Sequence, residues 1–388
     1  MSEEVLVKQI QKNHKKIVAL TSKLVQIQSV NSNETEVAKH LADVLKREGI
    51  RCTLFGSDPK RQSLVATIGK GKRSFLLNGH LDTVATGDPK KWRHGPFSGK
   101  VVQGKLYGRG SYDMKGGVAA ATYAFISLKQ SGVKLGGQVK LVLNCDEESG
   151  YHKGIKEVLK KGIRADAAIC CEPMSHQMLS VGAKGIYRFE LITRGTTGHT
   201  AYRKGRINAV TKMAKLLVPL EKMRFAYKKH KMFSGPYVNP GTVIKGGEGI
   251  NVFPETCSAL VDCRLSFGQK EAEVKRELRA CMDKVCAKDP DLKYSIVPIG
   301  YVPTGLTNPD HAFVAMSREI IGETFGYEPS IGVTLGVTDG NFLMDKKIPT
   351  VIYGPTGKYA HTENEYVDVK SLGTAAESYG ITAMRFLG

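Results

Sequence analysis

The chain is expected to be an α/β protein: a mixed, mostly parallel sheet with helices on both faces, interrupted by a smaller α+β domain. Two observations predict this. Over the first part of the chain, short apolar runs alternate with amphipathic helical stretches, the pattern of strands joined by helical crossovers. Near residue 180 that texture gives way to a β-α-β-β-α-β order, and it resumes near residue 297. A length of 388 residues also exceeds what one core comfortably serves. The expected division is 1–179 and 297–388 for the main domain, with a ferredoxin-like unit at 180–296 inserted into it.

The elements follow in order. Residues 3–28 and 33–48 carry helical periodicity, the second behind "NSNET", an N-cap context. Then come "SLVATIG" and "SFLLNGHLDTV" as strands, a glycine-rich loop, the helix "GGVAAATYAFISLKQSG", the strand "VKLVLN", a basic helix at 153–161, and the strand "DAAIC". In the inserted unit, "GAKGIYRFELITRG" reads as a half-exposed strand and "GRINAVTKMAKLLVPLEKM" as a helix. "VNPGTVIKGGEGINVFPETCSALVDCRL" reads as two strands around a glycine turn, "KEAEVKRELRACMDKVCAK" as a second helix and "KYSIVPIG" as a closing strand. "DHAFVAMSREIIGETFG" and "IPTVIYGPTG" return to the first texture.

Composition narrows the function. An apolar content of 41% and a charged content of 24% are those of an ordinary globular chain, and no apolar run approaches a membrane span. The charged N-terminus lacks the apolar core of a secretory signal, so the expected location is the cytoplasm, with no membrane partner. The eight cysteines form no C-x-x-C pair and read as buried, reduced thiols. The 57 basic against 37 acidic residues give +20, but the lysines and arginines are spread along the chain without a nucleic-acid-binding signature. No nucleic-acid partner is expected; the field suits a small anionic substrate.

"VKLVLNCDEESG" sets Asp146, Glu147 and Glu148 side by side at the end of an apolar strand. Like charges repel, so such a cluster needs compensating positive charge. Other segments point to the same edge. His80 and Asp82 end "SFLLNGHLD", Asp113 lies in "GRGSYDMKGG", Glu172 ends "AAICCEP", and His361 follows the strand "PTVIY". In open α/β sheets ligands bind beyond the carboxyl ends of the strands. Two histidines and several carboxylates exceed the three protein ligands of a single catalytic zinc and suit two metals sharing one carboxylate. Asp113, between "GRG" and "KGG", is the best candidate for the shared ligand. One glutamate of the adjacent pair is then free to act as general acid and base on an activated water.

With "GHLDTV", "GRGSYDMKGG", "DEESG", "CEP", "GHTA" and "HTENE", the chain resembles, over essentially its whole length, the co-catalytic zinc amidohydrolases and exopeptidases. That family includes acetylornithine deacetylase, succinyl-diaminopimelate desuccinylase, aminoacylase and glutamate carboxypeptidase. The resemblance implies two zinc ions per chain, with cobalt as a possible substitute. His80, Asp113 and Glu172 would hold one ion, and Asp113, Glu148 and His361 the other. It makes Glu147 the general acid and base and Asp82 the residue that orients the His80 ring, a role that also follows from general metal-site design. It further implies a cis Asp113–Met114 peptide and a lid that also forms a homodimer. His199 of "GHTA" would reach the partner's site to stabilise the oxyanion. The substrate carboxylate would be held by Asn251, Arg264 and the "GVTDG" loop, with Thr338 and Gly340. A plain surface histidine at 199 and a surface ion pair at Arg264 are the alternatives.

Two positions depart from the family pattern: Arg203 stands where a proline is usual after "GHTA", and Asn341 where many desuccinylases carry arginine. The implied reaction is hydrolysis of an N-acyl amino acid, in the acetylornithine deacetylase or desuccinylase group of amino-acid biosynthesis. Aminoacylase or dipeptidase/carboxypeptidase action is the alternative, and a non-catalytic binding protein on the same fold the remote one.

Overall fold

The computed structural model describes residues 2–30, 33–173 and 177–388. Asn31 and Ser32 of the expected N-cap lie outside them. The chain forms two compact units, Met1–Ala183 with Gly305–Thr334 and Thr338–Gly388, and Lys184–Thr304 with Leu335–Val337.

The larger unit is built on a mixed sheet. Its strands run in the order Cys52–Phe55, Ser63–Gly69, Gln138–Asn144, Ser74–His80, Ala167–Cys170, Thr350–Ile352, Met178–Ala183 and Gly305–Leu306, and Ser330–Thr334 pairs with Met178–Ala183. The central strands Gln138–Asn144, Ser74–His80, Ala167–Cys170 and Thr350–Ile352 are mutually parallel. Ser74–His80 is buried along its whole length, as expected for a strand covered on both faces. Helices Ser2–Gln26, Gly116–Gln130, Ala312–Phe325 and Val369–Leu387 pack against one another in one layer. The last has no counterpart among the expected elements. Gly373 lies inside it where a Cβ would come within 2.6 Å of the His14 ring of the first helix.

A second, four-stranded sheet of very short strands was likewise not expected: Gly357–Lys358, Tyr366–Asp368, Lys105–Tyr107 and Lys100–Val102. It pairs Tyr366 with Tyr107, fastening the strand that leads into the glycine-rich turn to the segment that follows His361.

In the smaller unit, strand Gly185–Arg194, helix Ala209–Lys222, strands Tyr237–Gly246 and Thr256–Leu265, helix Glu271–Cys286 and strand Tyr294–Val302 follow in sequence. The sheet is antiparallel with Gly185–Arg194 and Thr256–Leu265 at its centre, the ferredoxin-like order. Phe189, Leu191, Met213, Leu216, Val261 and Leu278 are among its buried core. The unit runs a few residues later than 180–296 at both ends. The segment that begins at Gly182 and reads as one strand divides between two: Met178–Ala183 bonds into the large sheet, and Gly185 begins the small one.

Candidate metal centre

Parallel register brings three strand ends to one edge. His80, the last residue of its strand, lies opposite Asn144, and Asn78 lies opposite Cys170. The residues that follow Asn144 and Cys170 therefore emerge beside His80, and they include Glu147, Glu148 and Glu172. Gly117 lets the next helix start against this edge, since a Cβ there would sit 2.0 Å from the Cys171 carbonyl oxygen.

Asp113 arrives from the turn Ser111–Lys115, which one buried carboxylate organises. Glu365 accepts hydrogen bonds from the Arg109 guanidinium at 2.6 Å and from the backbone N–H groups of Gly110, Tyr112 and Asp113 at 3.0, 2.9 and 3.0 Å. Behind the turn, the buried Lys115 ammonium donates to the carbonyls of Leu24 and Ile27, both at 2.8 Å. The Asp113–Met114 peptide is cis.

Asp113 faces both histidines, one oxygen to each. His80 Nε2 is 3.3 Å from Oδ1, and His361 Nε2 is 3.2 Å from Oδ2. His361 Nε2 also lies 3.1 Å from Glu148 Oε1, and His80 Nε2 3.8 Å from Glu172 Oε2. Ligands about 2.0–2.1 Å from a tetrahedral zinc stand roughly 3.3 Å apart, so these separations fit two ions that share Asp113. Atoms of His80, Asp113 and Glu148 all lie within 4.8 Å of one another. The donor set, imidazole and carboxylate, is the one that zinc and similar divalent ions take.

The three acids of "DEE" separate by environment. Asp146 has a left-handed backbone, contacts Arg61 and the Ser149 hydroxyl, and accepts from the Lys153 N–H at 3.1 Å. Arg61 also binds the buried Glu34 at 2.8 Å, so Asp146 belongs to a buried ion-pair cluster. Glu148 faces His361. Glu147 is buried and makes neither contact.

Asp82 differs in part from expectation. The His80 Nδ1–H donates to the main-chain oxygen of Asp82 at 3.1 Å, while the carboxylate lies 3.6 Å away. That carboxylate instead accepts from the backbone N–H groups of Glu147 and Glu148 at 3.1 and 2.9 Å. Two peptide donors in the turn are better partners for a buried carboxylate than one already committed ring N–H. Asp82 therefore anchors the glutamate pair, and its backbone leaves His80 Nε2 to face Asp113.

Crowded charge shows in proton affinities. Burial pushes Glu147 and Glu172 well above the usual carboxylate range, and neighbouring carboxylates add to it against the opposing pull of His80. Burial likewise raises Asp82 to about 7. Burial alone would lower His80, but Glu172, Asp113, Glu147 and Asp82 together hold it well above its ordinary value. Hydrogen bonds to Asp113 and Glu148 raise His361 to about 10. A buried cluster that holds protons this firmly also attracts a divalent cation.

The remaining expected residues fall elsewhere. His199 is exposed in the smaller unit, its Nδ1 accepting from the Ala201 N–H at 3.1 Å, and Asn251 adjoins it through a Thr200 N–H to Asn251 carbonyl bond of 3.0 Å. Arg264 donates through Nε to Asp262 at 2.7 Å, an oxygen pair that Arg188 also engages. In the larger unit, Thr338 Oγ1 accepts from the Gly340 N–H at 3.1 Å, and the Thr338 N–H donates to Asn341 Oδ1 at 2.9 Å. Asn341 is wholly buried and also donates to the Ala183 carbonyl, so it locks its own loop. Glu365 and Asp339, both buried beside the site, are absent from the expected set; each stood in a quoted motif, "HTENE" and "GVTDG".

The sequence profile of Peptidase family M20/M25/M40 matches residues 76–385. The chain belongs to this family. A succinyl-diaminopimelate desuccinylase from Methylorubrum extorquens (strain PA1) is 30% identical over 383 residues, covering 94% of this chain and 97% of that protein. An M20 family metallo-carboxypeptidase from Sulfolobus solfataricus shares the fold, with a TM-score of 0.81 at 19% identity over 95% of this chain and 98% of that one. A dinuclear metal-binding peptidase of the M20 family from Bacillus subtilis aligns with a TM-score of 0.71 at 18% identity, over 97% and 99% of the two chains.

Proposed function

We propose that this chain is a two-zinc amidohydrolase that removes the N-acyl group from an amino-acid-like substrate bearing a free carboxylate. The observation that carries the reading is Asp113, set between two histidines with one oxygen toward each, beside a buried and uncommitted Glu147. The desuccinylase relative supports the substrate class. His80, Asp113 and Glu172 would hold one ion, and Asp113, Glu148 and His361 the other. When bound, the pair supplies Lewis-acid activation of water and of the amide carbonyl.

Glu147 takes the proton of the attacking water and passes it to the leaving nitrogen. Its raised proton affinity suits it to hold that proton between the two steps. His199 of a partner subunit donates to the oxyanion, and Asn251 and Arg264 meet the substrate carboxylate. Thr338 and Gly340, whose polar groups bond within their loop, are the further substrate-contacting residues. The chain acts in the cytoplasm as a homodimer joined through the smaller unit. Among the described residues no helix is long and apolar enough to cross a membrane.

A second reading, aminoacylase or dipeptidase action, is favoured by Asn341. Buried in its own loop, it offers no cation to a second carboxylate such as that of a succinyl group. The test is a hydrolysis screen of the zinc- or cobalt-loaded protein over N-succinyl-diaminopimelate, N-acetyl-ornithine, other N-acyl amino acids and dipeptides. Turnover of N-succinyl-diaminopimelate or N-acetyl-ornithine supports the first reading, and turnover of the other N-acyl amino acids or of dipeptides alone selects the second. About two divalent ions per chain and loss of activity on chelation are expected. At most one ion, with full activity after chelation, refutes the two-metal site.

A further inference from the structure

The loop that presents Glu147 continues past the carboxylates. It turns through Gly150 (φ 78°) and arrives at His152, whose backbone is left-handed (φ 50°, ψ 42°). The His152 N–H donates to the Asp146 carbonyl at 2.8 Å, and the Gly150 N–H to that of Glu147 at 2.9 Å. Folding the loop back in this way sets a fully buried imidazole beside Glu147.

His152 Nδ1 is 3.0 Å from Asp339 Oδ1 and 4.0 Å from Glu147 Oε1. A carboxylate accepts, so Nδ1 carries the hydrogen. The other Asp339 oxygen accepts from the Asn144 amide at 2.5 Å. Asn144 Oδ1 accepts from Asn78 at 2.7 Å, and Asn78 Oδ1 from the Cys170 thiol at 3.3 Å. A line of buried hydrogen-bonded side chains thus runs beneath the carboxyl edge of the sheet to His152, which stands 4.0 Å from Glu147. His152 Nε2 is buried without a hydrogen-bond partner among the described residues. An unmatched ring nitrogen and a left-handed backbone are both costs, and an apolar side chain would fill the space without the first of them.

We infer that His152, fixed in its tautomer by Asp339, is the positioning residue for Glu147. Its Nδ1–H is given to Asp339, and the same edge of the ring packs 4.0 Å from Glu147 Oε1, which limits the orientations open to the Glu147 side chain. This rests on reading Glu147 as the general acid and base. Asp339 acts through His152.

The test compares the metal-loaded wild type with His152→Phe, His152→Asn and Asp339→Asn. Asn tolerates the left-handed backbone and can place an amide N–H near the position of Nδ1. A misplaced catalytic group costs up to about a hundredfold, so His152→Phe should lower kcat by roughly 10–100-fold while KM stays within about twofold and metal content holds. His152→Asn should restore most of the loss. Independently of activity, nitrogen NMR should show the Nδ1–H tautomer of His152 in the wild type, its loss in Asp339→Asn, and a displaced ring signal in Glu147→Gln. Full kcat in His152→Phe, an Nε2–H tautomer in the wild type, or a His152 signal indifferent to Glu147→Gln each overturns the inference. If His152→Phe does not fold, the Asn variant and the NMR signals decide. A wild type inactive on every substrate refutes the proposed function instead, and the ring signals still test the His152 contacts.

Discussion

Glu147 and Glu148 are chemically identical neighbours, and their surroundings divide the work. Glu148 meets His361, whereas Glu147 lies beside His152 and Asp339 with no ligand partner. Glu147→Gln should keep both ions and the fold while kcat falls about 10²–10⁴-fold, the usual scale of general acid–base catalysis. Glu148→Gln should weaken one ion, read by metal analysis; zinc loss from Glu147→Gln alone would reverse the assignment. His80, Glu147, Glu148 and Glu172 could be read as candidates because each stands just past an apolar run, and Asp113 because it sits in a glycine-rich turn. Asp82, Asp339 and Glu365 were harder to read, because their partners are backbone N–H groups or distant side chains that no local pattern announces. Glu365 satisfies three peptide donors and Arg109 at once. Glu365→Ala should therefore cost about 3–5 kcal/mol in denaturant unfolding, as breaking a buried pair does.

Among the elements, the long strands and amphipathic helices were legible from periodicity, and the parallel register then set the site. The short-stranded sheet was not, since two or three residues carry no period. The C-terminal helix was obscured by Gly373 and its small-residue neighbours, which suit close packing rather than helix propensity. In the antiparallel sheet of the smaller unit, Asp262 lies between Arg188 and Arg264. Burial would raise its pKa, but the two guanidiniums more than reverse that and hold it below its ordinary 3.8. A depressed carboxylate binds fewer protons folded than unfolded. Its stabilisation is therefore complete above 3.8 and is lost as pH falls through the folded value. The stability gap between wild type and Asp262→Asn should shrink below pH 4, measured by denaturant titration; a constant gap would show the arginines leave Asp262 unperturbed.

For the whole molecule, the dimer proposal makes a direct prediction. Inactive His199→Ala and Glu147→Gln chains, mixed and allowed to exchange subunits, should regain activity. One site of each mixed dimer has its own Glu147 and receives an intact His199. Exchange confirmed by mass without recovered activity would place His199 outside the partner's chemistry. The two-unit organisation was legible from the change in texture along the chain, but its ends were blurred where adjacent strands belong to different sheets. Glu365 and His361, both near the end of the chain, hold and complete a centre whose other residues lie before residue 173. A ribosome adding about 5–20 residues per second takes roughly 10–40 s to pass from Glu172 to Glu365, and through that interval the centre has no closing half. A nascent protein that has not yet reached Glu365 is thus silent by construction.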